Sequence, residues 1–72
     1  MRDEFRRHLG KPVLVQLDDD QAVGGVLERV TAVTLALSDP YVVSSDGKQT
    51  SADGEIVVSR HSIIWIQVAT DG

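Results

Sequence analysis

VLVQLDDDQAVGGVL, Val13 to Leu27, is the stretch on which the fold turns. Val13, Val15 and Leu17 alternate with Leu14 and Gln16, the period-two pattern of a strand with one buried face. Asp18 to Gln21 is polar and reads as a turn. A second strand then runs from Ala22 to Val30, with Val23, Gly25 and Leu27 sharing a face. A glycine in mid-strand weakens it unless the strand bends sharply or another backbone comes close. Gly24-Gly25 therefore predicts a strongly curved strand of the kind that closes small barrels.

Working outward, Arg2 to Leu9 reads as a short α-helix. Phe5 and Leu9 are four apart on one face, and Asp3 and Glu4 lie in the first turn, where they suit the helix dipole. Gly10 ends the helix and Pro12 stops any continuation. After a brief interruption at Thr31-Ala32, a third strand is expected over Val33–Leu37, with Val33, Leu35 and Leu37 inward. Residues 38–55 contain Asp39-Pro40, Ser44 to Gly47 and Asp53-Gly54 and read as a long polar loop, with Tyr41–Val43 as a candidate strand extension. Ile56–Val58 and Ile63–Val68 are the last two strands, and Ala69 to Gly72 is a tail. The expected fold is mainly β: a short N-terminal α-helix followed by a five-stranded, strongly bent antiparallel sheet, a small open barrel of the SH3 size class.

The chain has 72 residues, which is one domain. A domain this small buries only about 60% of the surface its unfolded chain exposes, and oligomerisation is a common remedy. It has no cysteine, so neither a disulfide framework nor a thiolate metal site is available. No apolar run approaches the roughly 20 residues of a membrane span, and Met1 to Leu9 lacks the apolar core of a signal peptide. The expectation is a cytoplasmic protein. Many Asp, Val, Arg and Gly residues with few Lys and no Asn hint at a GC-rich genome, bacterial or phage.

The formal net charge of −4 lacks the basic excess usual in nucleic-acid modules. Any such binding needs the seven basic residues gathered on one surface; Arg2, Arg6, Arg7 and Lys11 already lie close together in sequence. Arg60 stands apart, inside IVVSRHSIIWIQV (Ile56 to Val68), where Ser59 to Ser62 separates two β-branched runs. A tight hairpin normally carries Gly, Asn or Asp at such a break. Arg60 and His61 instead make it either an unusual strand connection or a positive, hydrogen-bonding tip.

At this point the chain resembles the Sm-like family, which includes Sm, LSm and bacterial Hfq proteins. Residues 13–37 resemble the family's first motif: Val13, Val15 and Leu17 take the alternating apolar places, Asp19 the turn acid or amide, Gly25 the glycine and Leu27 the next apolar site. Asp20 stands where the family usually has Gly. VSRHSI, Val58 to Ile63, resembles the Val-Tyr-Lys-His-Ala-Ile of the second motif in Hfq, with Arg60 for the lysine, His61 for the histidine and Ser59 for the aromatic. Residues 1–10 then correspond to an N-terminal helix, 38–55 to a variable loop and 56–68 to the second motif. The resemblance implies a homo-oligomeric ring of six or seven subunits. Its interface would involve Ile56, Val57, Val58, Ile64, Trp65 and Ile66. Single-stranded U- or A-rich RNA would bind at the pore. Open strand edges, which invite pairing with another chain, fit a ring.

The implied RNA contacts are Arg60, His61 and Ser62 at the pore and Arg6 and Arg7 at the rim, with His8 beside them. Against this, Arg60 and His61 also fit a solvated turn, and Arg6 to His8 the exposed face of an amphipathic helix. The base-holding acid and the amide or aromatic of Sm rings fall at Thr31, Val33 and Thr34, which offer no stacking platform. A structural or protein-interaction ring that binds no RNA is therefore the competing expectation. Asp18, Asp19 and Asp20 are consecutive on a turn and diverge, so no metal site is expected of them. No cofactor pattern is present. Asp39, His61 and Ser62 do not make a triad, because His61 and Ser62 are neighbours on one turn; an enzyme is not expected.

Overall fold

The computed structural model describes residues 3–18 and 20–70. Arg2 and Asp19, which the sequence assigns to the helix and the turn, lie outside them, as does the end of the tail. The N-terminal element is a 3-10 helix, Glu4–His8, and not the α-helix expected over Arg2 to Leu9. Its bonds run three residues back, from Arg6 N to Asp3 O at 3.1 Å and from Leu9 N to Arg6 O at 3.2 Å. A segment this short cannot offset the cost of nucleating an α-helix, and the tighter turn suits short pieces. Asp3 caps it, its carboxylate accepting from Phe5 N at 3.1 Å. Gly10, at φ +84°, reverses the chain as expected.

Among the described residues six strands follow: β1 (Pro12–Gln16), β2 (Ala22–Val30), β3 (Thr34–Val43), β4 (Gln49–Ser51), β5 (Glu55–Ser59) and β6 (Trp65–Val68). They form one antiparallel sheet in the order β4-β3-β2-β1-β6, with β5 also paired to β3. β4 and β5 act as one interrupted strand along β3: Thr34–Ser38 pairs with Ser59–Glu55 and Tyr41–Val43 with Ser51–Gln49. The five expected strands are thus present, the fourth broken at residues 52–54.

The expectation of a long loop over 38–55 is corrected. β3 runs through Asp39-Pro40 as a bulge, because Gly24 pairs with Tyr41 and Val26 with Ser38, leaving two residues opposite Gly25. Asp39 takes a positive φ of 48° to make it. Gly25 is required by close approach: a Cβ there would lie 2.8 Å from the Ser38 carbonyl oxygen. At Gly24 the Tyr41 ring occupies the same kind of space. The double glycine thus lets β3 fold over β2, which is the sharp bend its sequence predicts.

A second bulge, at Glu28, lies between the pairs Leu27–Leu37 and Arg29–Ala36. It resets the alternation, so that Leu27 and Val30 both face inward although three apart. The core comprises Val13, Val15, Val23, Leu27, Val30, Leu35, Leu37 and Val58, with Phe5, Leu17, Ile56, Ile63, Ile66 and Val68 packed around it. Burial of Leu27, Leu35 and Leu37 contributes about 1.5–3 kcal/mol each. Val33, expected inward, is 59% exposed, because the strand begins only at Thr34.

The sheet does not close on itself. β5 and β6 are joined in sequence by a turn, but among the described residues β5 pairs only with β3 and β6 only with β1, so each keeps one open edge.

Candidate nucleic-acid interface

The break at Ser59 to Ser62 is a second 3-10 turn, Arg60–Ser62, closed by Ile63 N donating to Arg60 O at 3.3 Å. A turn of this kind needs no positive φ, which explains how Arg60 and His61 occupy it. Arg60 N donates to Val33 O at 2.9 Å, extending the β3–β5 ladder by one bond. The Arg60–Ser62 turn therefore lies beside the connection between β2 and β3.

That connection is held by threonines. Thr31 Oγ1 accepts from Val33 N at 3.2 Å and Thr34 N at 2.9 Å, and shares a 2.7 Å hydrogen bond with Thr34 Oγ1. Both hydroxyls are thus engaged in shaping the turn. Val33 projects from it.

Two basic side chains that the sequence keeps 54 positions apart, Arg6 and Arg60, meet here, and His61 follows Arg60 on the same turn. Arg60 Nη1 donates to the Thr31 carbonyl at 2.7 Å, and Arg6 Nη2 to the neighbouring Val30 carbonyl at 3.2 Å. His61 is exposed on the same turn as Arg60, with Ser62 beside it. Arg7 points elsewhere, pairing with Glu4 at 3.4 Å on the exposed side of the helix. His8 Nε2 lies 3.5 Å from the same Glu4 carboxylate.

At the centre of the cluster is Asp3. Arg60 grips it at two points, Nη1 to Oδ2 at 2.8 Å and Nη2 to Oδ1 at 3.3 Å. The Phe5 ring lies against the guanidinium, 4.6 Å from its carbon to the ring centroid. The Arg60 hydrogen bond, opposed by partial desolvation and aided by Phe5 N and the charges of Arg60 and Arg6, holds the Asp3 carboxyl below the usual carboxylate range. The sequence offered Asp3 only a helix-dipole role and Phe5 only a helix face. Nothing local to either residue signals a partner 57 positions away.

The residues expected at the subunit interface divide. Val57 on β5 and Trp65 on β6 are large apolar side chains exposed on the open-edge strands, at 51% and 47%, and Ile64, just before β6, is exposed at 58%. Ile56 and Ile66 are half-buried against the core, and Val58 belongs to the core itself, leaving only its backbone at the edge. Asp18 Oδ1 accepts from Asp20 N and Gln21 N, so that carboxylate shapes the β1–β2 turn.

Among the described residues no helix is long and apolar enough to cross a membrane.

No protein-family model and no curated protein matches the chain by sequence. Solved structures do match. A heptameric archaeal Sm protein is 29% identical over 90% of this chain and 94% of its own, with a TM-score of 0.78. The SmAP1 heptamer of P. aerophilum is 28% identical over 92% of this chain and 88% of its own, with a TM-score of 0.80. The Sm protein of Pyrococcus abyssii, solved in complex with a uridine heptamer, shares the fold at a TM-score of 0.80 and 24% identity, over 94% of this chain and all of that one.

Proposed function

From this chain's membership of the Sm-like family we infer that its copies close into a homo-oligomeric ring of six or seven subunits, whose pore binds single-stranded, U- or A-rich RNA. The observation that carries the reading is the gathering of Arg6, Arg60 and His61 around the Thr31–Thr34 turn, in a chain whose overall charge is negative. Family likeness supports it: two of the similar structures are heptamers and a third holds uridine RNA. The open edges of β5 and β6, with Val57 and Trp65 exposed along them and Ile64 just before β6, support head-to-tail pairing of one subunit's β5 with the next subunit's β6.

In this reading His61 and Ser62 meet the RNA directly. An imidazole donates to a base carbonyl and a hydroxyl to a base edge or phosphate. Arg60 stands beside them at the pore with Arg6 on the neighbouring carbonyl, where the two add a positive field, and Arg7, paired outward with Glu4, lies at the rim. No step of bond making or breaking is involved.

Two measurements test the reading in order. Native mass spectrometry is expected to give one closed species of six or seven subunits; a monomer or simple dimer removes the pore and with it the role of the turn. A labelled uridine-rich or adenine-rich oligonucleotide should then bind in a salt-sensitive way. His61→Ala should weaken it about fivefold, the effect of one lost hydrogen bond, and Arg60→Glu should weaken it further. A closed ring that retains neither oligonucleotide at low salt would leave the protein-interaction ring as the function.

A further inference from the structure

Arg60 is the strongest cation of the turn, yet its guanidinium edge is already occupied. Asp3 takes one hydrogen from each of its terminal nitrogens, and the Thr31 carbonyl takes a second from Nη1. A carboxylate bound at two points to a guanidinium has the same fork geometry as a bound phosphate. The pair is reachable: the Arg60 and Asp3 side chains are 25% and 24% exposed. His61 makes no hydrogen bond or ion pair among the described residues and is exposed.

We infer that Asp3 sets the specificity of this site: by holding the edge of Arg60 that a backbone phosphate would take, it makes the turn select the bases of a single strand over negative charge alone. The inference rests on the RNA-binding reading above and deepens it. A phosphate can take the Nη1–Nη2 edge only by displacing the carboxylate, and at the remaining Nε side it meets that carboxylate as a like charge within a few ångströms. Groups that bring bases lose nothing by this, because His61 and Ser62 remain free to meet them. Binding through phosphates is indifferent to sequence, whereas base contacts carry the information. An overall charge of −4 works in the same direction by disfavouring indiscriminate polyanion binding.

Asp3→Asn isolates the charge. Asparagine is as good an N-cap as aspartate and keeps an oxygen for Phe5 N. Asp3→Ser, which also caps, is the second variant should the first not fold. Circular dichroism and native mass spectrometry establish that each variant keeps the wild-type fold and assembly.

Binding of a uridine oligonucleotide and of heparin, a polyanion without bases, is then compared across salt concentrations. The expected result is that Asp3→Asn binds both ligands more tightly, by about tenfold for each new ion pair between Arg60 and the ligand. Its salt dependence on the oligonucleotide steepens by about 0.7 in log–log slope for every Arg60 released. Heparin affinity rises more than oligonucleotide affinity, so the preference for bases falls.

Unchanged preference, with uridine binding intact, overturns the inference and leaves the RNA reading standing. Weaker uridine binding by the variant also overturns it, showing that Asp3 positions Arg60 for the RNA. If neither protein binds the uridine oligonucleotide, the inference and the reading fail together.

Discussion

Arg60 and Asp3 are joined by a two-point ion pair across 57 residues of sequence. It fastens the N-terminal 3-10 helix to the turn between β5 and β6, with Phe5 packed against the same guanidinium. Because pairing lowers the folded-state pKa of Asp3 below its unfolded value near 4, its contribution to stability is fully present above that value. It is lost as pH falls through the folded-state value. Wild type is therefore expected to be more stable than Asp3→Asn at neutral pH, with the two converging in acid below about pH 4. Urea midpoints measured from pH 7 downward check this; a gap that stays constant with pH means the charge is not its source.

Gly25 and Gly47 allow a comparison of two ways in which glycine is needed. Alanine at Gly25 places a methyl 2.8 Å from the Ser38 carbonyl, which belongs to backbone and cannot rotate away. The β3 bulge has to open, at a cost of about 1–3 kcal/mol or more. Gly47 has φ +86° with nothing within 4 Å of an added Cβ, so alanine there costs only about 1–2 kcal/mol of backbone strain. Urea unfolding should rank Gly25→Ala as the more damaging. The reverse order would mean the bulge is soft.

Leu27 is fully buried at the centre of the core, at the pair with Leu37. Leu27→Ala is expected to cost about 2–5 kcal/mol through lost burial and the cavity left behind. In so small a domain that approaches the whole stability. Thermal unfolding and amide exchange should show the loss across the whole sheet. A loss of under about 1 kcal/mol would mean that neighbouring side chains collapse into the gap.

The exposed edge residues separate assembly from folding. Val57→Lys and Trp65→Glu each place a charge on an apolar edge that a neighbouring copy would cover. Both side chains are half-exposed in the single chain, so the fold is expected to survive while the ring dissociates to monomers. Native mass spectrometry reads the assembly and circular dichroism the fold. Intact rings in both variants would show that subunits meet elsewhere.

Much of the fold is legible in local patterns. Alternation in Val13–Leu17 and Ala22–Val30 marks β1 and β2, and Gly10 and Pro12 mark the end of the helical segment. The course of β3 is less legible. Asp39-Pro40 is a strong turn signal, and only the pairing with Gly25 shows that it is a bulge inside a strand. Val33 fits the period of β3, but the Thr31 hydroxyl captures the backbone N–H groups of Val33 and Thr34 and delays the strand by one residue. The segment 49–51 is polar on every side chain, and it is a strand because β3 offers its backbone a ladder.

The candidate site divides in the same way. Arg60, His61 and Ser62 stand out in the sequence as residues that do not belong in a hairpin turn, and Arg6 and Arg7 as a basic group near the N-terminus. The sequence by itself determined β1, β2 and the two late β-branched segments, the faces that β1 and β2 bury and where the unusual turn lies, because those follow from side-chain period and from the backbone limits of glycine and proline. Only the tertiary structure decided that Arg6 and Arg60 bind adjacent carbonyls, that Asp3 neutralises Arg60 and that His61 stays exposed. Such pairings depend on the distance between groups after the sheet has bent, and a chain carries no local record of what its curvature will bring within hydrogen-bonding distance.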